Sequence, residues 1–188
     1  MNYPGNIKKE YHKYVNFGNR GMDLEFLINQ VNEYYLENDI AVIYKKPTPI
    51  GIKKTNYNTG TIDGYFKEQS TLDYNGVYKG YYIDFDAKVT KNKTSFPINN
   101  IHAHQIKHID NVLRHGGIVF LIIMINEEFY LLSGEKLLEF LNNENRKSIP
   151  YSYIKDKGIK IKLGIRPALD YLKAVDILIK EICHGKEK

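Results

Sequence analysis

The sequence has no tryptophan and only one cysteine, Cys183. A single cysteine excludes an intrachain disulfide and a cysteine-built zinc centre, and it fits a reducing compartment. No window approaches the roughly 18 apolar residues of a membrane helix, and the N-terminal segment carries no apolar core of the signal-peptide kind. A soluble protein that stays in the cytoplasm is therefore expected. Repeats, a domain linker and a glycine-rich phosphate loop are also missing, so residues 1–188 are expected to form a single domain. A chain of this length buries about two thirds of its unfolded surface without staples.

What is present is a modest basic excess, 27 Lys and Arg against 22 Asp and Glu, for a net charge of +5 and a pI near 9.0. That balance suits a polyanionic partner. The abundance of Ile, Lys, Asn and Tyr is also that of an AT-rich genome, so part of the lysine excess carries no functional message.

One stretch organises the rest: residues 71–88, TLDYNGVYKGYYIDFDAK. If residues 82–88 form a strand, period-two alternation puts Ile83, Phe85 and Ala87 on one face and Tyr82, Asp84, Asp86 and Lys88 on the other. With Lys79-Gly80 as a two-residue turn, Asp73 falls opposite Asp86. Directly opposed residues have Cβ atoms about 4.5–5.5 Å apart. Two carboxylates that close repel, by about 1 kcal/mol in water and more when desolvated, unless a cation or proton sits between them. Oxygen-only ligands favour Mg²⁺, with Mn²⁺ able to substitute. Lys88, on the same face, would orient or activate water or neutralise charge on a phosphate. The Asn75-Gly76 dipeptide is read as a bend or bulge. A solvated hairpin alternating Asp and Lys would give the same short pattern, so context must decide between them.

Residues 22–37 have the apolar spacing of an amphipathic helix with Glu25 in its first turn, where a carboxylate also complements the helix dipole. Residues 39–45 read as a buried strand. The segment 46–64 is too long for an ordinary connection and contains prolines and lysines. Lys45, Lys46, Lys53, Lys54, Lys91 and Lys93 are candidate phosphate contacts, as is Arg20 in a basic arm over residues 1–20 that is expected to be flexible. A helix is expected over residues 99–114, with Gln105 on its inner stripe beside Ile101, Ile109 and Val112. His102, His104, His108 and His115 are expected to face solvent or phosphate. Residues 118–125, IVFLIIMI, are apolar throughout and read as a central strand covered on both faces. They are followed by a hairpin through Asn126, a short helix over 134–143, a polar basic stretch over 142–157 and a strand over 158–165. A last helix begins at Pro167. Its wide apolar stripe would cover the sheet or join a dimer.

NRGMDLE (residues 19–25), STLDYNGVYKGYYIDFDAK (70–88), KNKTSFPINN (91–100) and HAHQ (102–105) resemble, in order and spacing, the RecU family of Holliday-junction resolvases. The resemblance implies an α/β restriction-endonuclease-like core, a mixed central sheet flanked by helices, with residues 46–64 projecting as a stalk into the junction centre. It further implies a homodimer that nicks four-way DNA junctions with Mg²⁺ during recombination and repair, associated with the nucleoid, with a recombinase or branch-migration helicase as a possible further partner. Carried across, Asp73, Asp86 and Glu25 become metal ligands, Lys88 the catalytic lysine, and Gln105 an orienter of the scissile phosphate or the water at the metal. The family pattern has glutamate where this chain has Asp86, a side chain one methylene longer. Two other functions stay open: a related endonuclease of different DNA specificity, and a catalytically weak junction-binding protein that anneals strands or modulates a recombinase.

Overall fold

The computed structural model describes residues 24–47, 49–66 and 71–185; the arm over residues 1–20, and with it Arg20, lies outside them. Helix α1 (Leu24–Glu37) buries Leu24, Leu27, Ile28, Val31 and Tyr35 along the predicted stripe. Strand β1 (Val42–Lys45) follows, and then a separate hairpin of β2 (Ile50–Asn56) and β3 (Thr61–Phe66). This hairpin occupies the expected stalk. It is a two-stranded ladder, with a register shift between Ile52 and Lys54.

The chain returns to the main sheet in β4 (Tyr74–Tyr78) and β5 (Tyr81–Val89), joined at Lys79 and Gly80, whose φ values of 51° and 82° are those of a type I′ turn. Tyr74 pairs with Phe85 and Tyr78 with Tyr81, the expected register. Rings reinforce it: Tyr74 stacks on Phe85 at 4.9 Å, and Phe85 on Phe120 of the next strand at 4.8 Å. Stacked pairs contribute about 1 kcal/mol each beyond their burial. Because alternate residues face opposite ways, fixing this aromatic row inside the core also fixes which residues stand on the other face.

Asn75-Gly76 is not a bulge. It lies in regular pairing, Gly76 opposite Ile83 on one side and Ile43 on the other. A Cβ at Gly76 would stand 2.0 Å from the Val42 carbonyl oxygen and 2.6 Å from Ile43 Cα. The glycine therefore serves close approach of β1 rather than a turn.

After β6 (Ser95–Pro97) and a single 3₁₀ turn (Ile98–Asn100) comes α2 (Ala103–Arg114), starting later than expected. Strands β7 (Ile118–Ile125) and β8 (Glu128–Ser133) form the predicted hairpin, closed by Asn126 and Glu127 at positive φ. Helix α3 (Gly134–Asn143) matches its expected span. The stretch read as merely polar contains β9 (Ser148–Pro150) and α4 (Tyr151–Lys157), pinned by the fully buried Ile149 and Ile154. Strand β10 (Ile159–Ile161) is shorter than expected, because Leu163 bridges Leu169 instead of continuing the ladder, and α5 (Leu172–Gly185) starts later than Pro167.

The six-stranded sheet runs β1-β4-β5-β7-β8-β10, with β5 and β7 parallel and every other pair antiparallel. Ile118, Phe120 and Ile122 of β7 join one core under α1 and α5, while Val119, Leu121 and Ile123 join a second core under α2, α3 and α4. This is the mixed central sheet flanked by helices that was expected. Within α5, Leu172, Val175 and Leu178 are buried against the sheet.

Candidate active site

Strand β5 sends Ile83 and Phe85 into the first core and Asp84 and Asp86 to the other face, where both aspartates are fully buried. Asp73, one residue before β4, lies against Asp86. Its carboxyl is pushed up from 3.8 to about 6, first by burial and then by the Asp86 carboxylate, against the opposing pull of Lys88 and Lys45. The two groups that alternation predicted to meet therefore do meet. Asp86 Oδ2 accepts from Gln105 Nε2 at 2.8 Å and pairs with Lys88 Nζ at 2.8 Å. Its other oxygen, Oδ1, is buried without a donor.

Gln105 stands in the first turn of α2 and is 5% exposed. Its Oε1 accepts the His102 backbone N–H at 3.1 Å, so the amide both holds the helix entry and aims its nitrogen at Asp86. An orphaned buried carboxylate oxygen beside a second carboxylate is a fit for a hard divalent cation, which takes oxygen ligands.

Glu25, the third expected ligand, makes an ion pair of its own. Its carboxylate meets the Lys45 ammonium, and among the described residues no group of three or more His, Cys, Asp or Glu side chains is placed to hold a metal ion. Glu25 stands at the margin of the site through Lys45, which in turn acts on the Asp73 carboxyl.

Lys46, expected to contact phosphate, turns inward. Its Nζ lies 2.8 Å from both Asp84 oxygens and 3.1 Å from Thr71 Oγ1. Asp84 Oδ2 also accepts from the Tyr82 hydroxyl at 2.9 Å and lies 2.8 Å from His108 Nε2. Burial and Asp84 together raise the Tyr82 phenol above its ordinary value. His108 is thus half-buried on Asp84 rather than turned wholly to solvent. Alternation had put Asp84 on the polar face of β5, and its place there, two residues from Asp86, was the signal that it belonged to the cluster. Nothing in the sequence paired it with Lys46.

Lys53 and Lys54 are exposed on β2, with Lys53 Nζ 5.6 Å from the centre of the Tyr65 ring. Lys91 and Lys93 are exposed between β5 and β6. His102 and His104 stack on each other at 5.4 Å beside the α2 entry, and His115 closes the helix end on the Asn111 carbonyl.

The chain is 51% identical over 170 residues to a Holliday junction resolvase RecU of Geobacillus sp. (strain WCH70), covering 86% of this chain and 85% of the relative. A Bacillus cereus (strain B4264) protein of the same name is 47% identical over 171 residues, 86% of each chain. One from Leuconostoc mesenteroides is 48% identical over 177 residues, 90% of this chain and 87% of the relative. Among solved structures, the Archaeoglobus fulgidus Hjc Holliday junction resolvase aligns with a TM-score of 0.43 and 10% identity over 73% of this chain and 95% of that one, a likeness too slight to add to the assignment. The family model for recombination protein U matches residues 19–177. A chain matched over that span, and alike to these relatives along most of its length, belongs to the RecU family.

Proposed function

We propose that this protein is a Holliday-junction resolvase, a metal-dependent endonuclease that nicks four-way DNA junctions as a homodimer in the cytoplasm, at the nucleoid. The observation that carries the metal site is the Asp73–Asp86 pair, with the Asp73 carboxyl raised to about 6 and Asp86 Oδ1 buried without a donor. Asp73 and Asp86 would hold Mg²⁺, with Mn²⁺ able to substitute. The ion would polarise the scissile phosphoryl group and lower the pKa of a water.

The protein's own groups do the rest. Gln105 fixes the Asp86 carboxylate in place while closing its own helix turn. Lys88, largely buried and ion-paired to Asp86, supplies positive charge to the phosphate as negative charge builds on it, and positions the attacking water. Lys45, held by Glu25, adds charge beside Asp73. Exposed lysines, including Lys53, Lys54, Lys91 and Lys93, contact phosphates without reading sequence. A junction with two-fold symmetry calls for a two-fold enzyme, which is the physical reason for a C2 dimer.

The test is cleavage of a synthetic four-way junction in Mg²⁺ by parent and Asp73→Asn. The parent should cut, and the variant should lose at least about a hundredfold in rate while its junction affinity stays within a few fold, since affinity resides in the lysines. Equal cutting by both would remove Asp73 from the site.

A further inference from the structure

The β2–β3 hairpin pairs with neither of the other two described sheets, so its orientation depends on the points where the chain leaves and rejoins the six-stranded one. It leaves just after β1, at Lys46. The first described residue after β3 is Thr71, two residues before Asp73.

Lys46 touches everything that meets at this point. Its backbone N–H donates to the Asp73 carbonyl at 2.7 Å, extending the β1–β4 ladder by one bond. Its ammonium reaches Asp84 Oδ1 and Oδ2 at 2.8 Å each and Thr71 Oγ1 at 3.1 Å. A lysine ammonium has three donors, and all three are used here. The side chain is 18% exposed and its carboxylate partner not at all, while Tyr82 and His108 also meet that carboxylate, at Oδ2. An ammonium so placed is poorly suited to a phosphate. It is well suited to joining three segments.

We infer that Lys46 is a positioning residue, a clasp that binds both feet of the projecting hairpin to the catalytic strand β5 through Asp84, so that the hairpin and the Asp73 main chain are held in one geometry. The inference rests on the reading of the hairpin as the element that engages the junction. Asp84 is the fixed post of the clasp. Lys46 touches no reacting atom, and its effect on cleavage passes through the position of Asp73.

The experiment compares parent, Lys46→Met, Lys46→Arg and the double variant Lys46→Met/Asp84→Asn, all in the full chain. The double variant removes both charges and covers the case in which a lone buried Asp84 prevents folding. Three quantities are read: the single-turnover rate at saturating four-way junction in Mg²⁺, the junction Kd with its salt dependence, and amide exchange over residues 42–47 and 71–78.

The clasp predicts at least a tenfold fall in rate for Lys46→Met and for the double variant, with Kd within threefold and the salt slope unchanged. Lys46→Arg, which keeps a charge able to reach Asp84, should recover most of the rate. Exchange should quicken at the hairpin feet while peptides of α5 stay as in the parent. A salt slope lowered by about one, with the saturating rate intact, would make Lys46 a phosphate ligand and overturn the clasp. Parent-like rate and exchange in the double variant would also overturn it. If the parent itself cuts no junction, the reading of function fails, while the exchange data still decide whether Lys46 holds the feet.

Discussion

Asp73 is raised to about 6 because it is half-buried against Asp86, and this gives the pair a signature measurable without DNA. A carboxyl whose pKa is higher folded than unfolded favours the fold through its proton. That contribution is complete below about pH 4 and is lost as the pH rises through about 6. Above that point the ionised pair repels until a cation neutralises it. Mg²⁺ should therefore raise the melting temperature by a few degrees near pH 8, the effect shrinking as the pH falls through about 6, and Asp73→Asn should remove most of it. Calorimetry across that range with and without Mg²⁺ checks this; an equal shift near pH 5 and pH 8 would place the cation elsewhere. At this scale alternation and turn chemistry placed Asp73, Asp86 and Lys88 on one face, and the family motifs made that face a site. Lys46 and His108 could not be placed there, nor could their pairing with Asp84 be read, because an ion pair between residues far apart in sequence leaves no local pattern.

Among the elements, the β4–β5 hairpin was the most readable, since its I′ turn, aromatic row and alternation all specify one register. Gly76 was misread because a glycine after asparagine signals a turn locally, whereas here a neighbouring strand demands it. Gly76→Ala should destabilise the fold by about 2 kcal/mol or more through backbone overlap with β1, measured as a lower denaturant midpoint at unchanged slope. A change within about 0.5 kcal/mol, the range of an ordinary surface substitution, would refute the close approach. The segment holding β9 and α4 was missed because its anchors, Ile149 and Ile154, are isolated among polar residues and pack only in three dimensions.

The β2–β3 hairpin belongs to the same scale. Replacing residues 49–66 by a short turn, with Lys46 and Thr71 retained, should leave the sheet folded, because among the described residues β2 and β3 pair only with each other. The variant should lose much of its preference for a four-way junction over linear duplex while duplex binding persists. The ratio of the two Kd values at one salt concentration reads this. If both substrates weaken in proportion, the hairpin acts only as a basic loop.

Across the whole molecule, one sheet with two cores places the carboxylates, their helix and the root of the hairpin on a single face. Composition alone said little beyond a polyanion partner. The family motifs carried the functional reading, and the acidic pair of half-buried Asp73 and buried Asp86, with one Asp86 oxygen left without a donor, gives it a physical basis. The central claim is that this pair cuts four-way junctions. Its most direct measurement is strand mapping of a synthetic junction, each strand labelled in turn, under single-turnover conditions with linear duplex as control. The account predicts two nicks placed symmetrically on opposite strands in Mg²⁺, none with chelator or with Asp73→Asn, and little cutting of duplex. No cleavage of the junction in either Mg²⁺ or Mn²⁺, or equal cutting of junction and duplex, would contradict it.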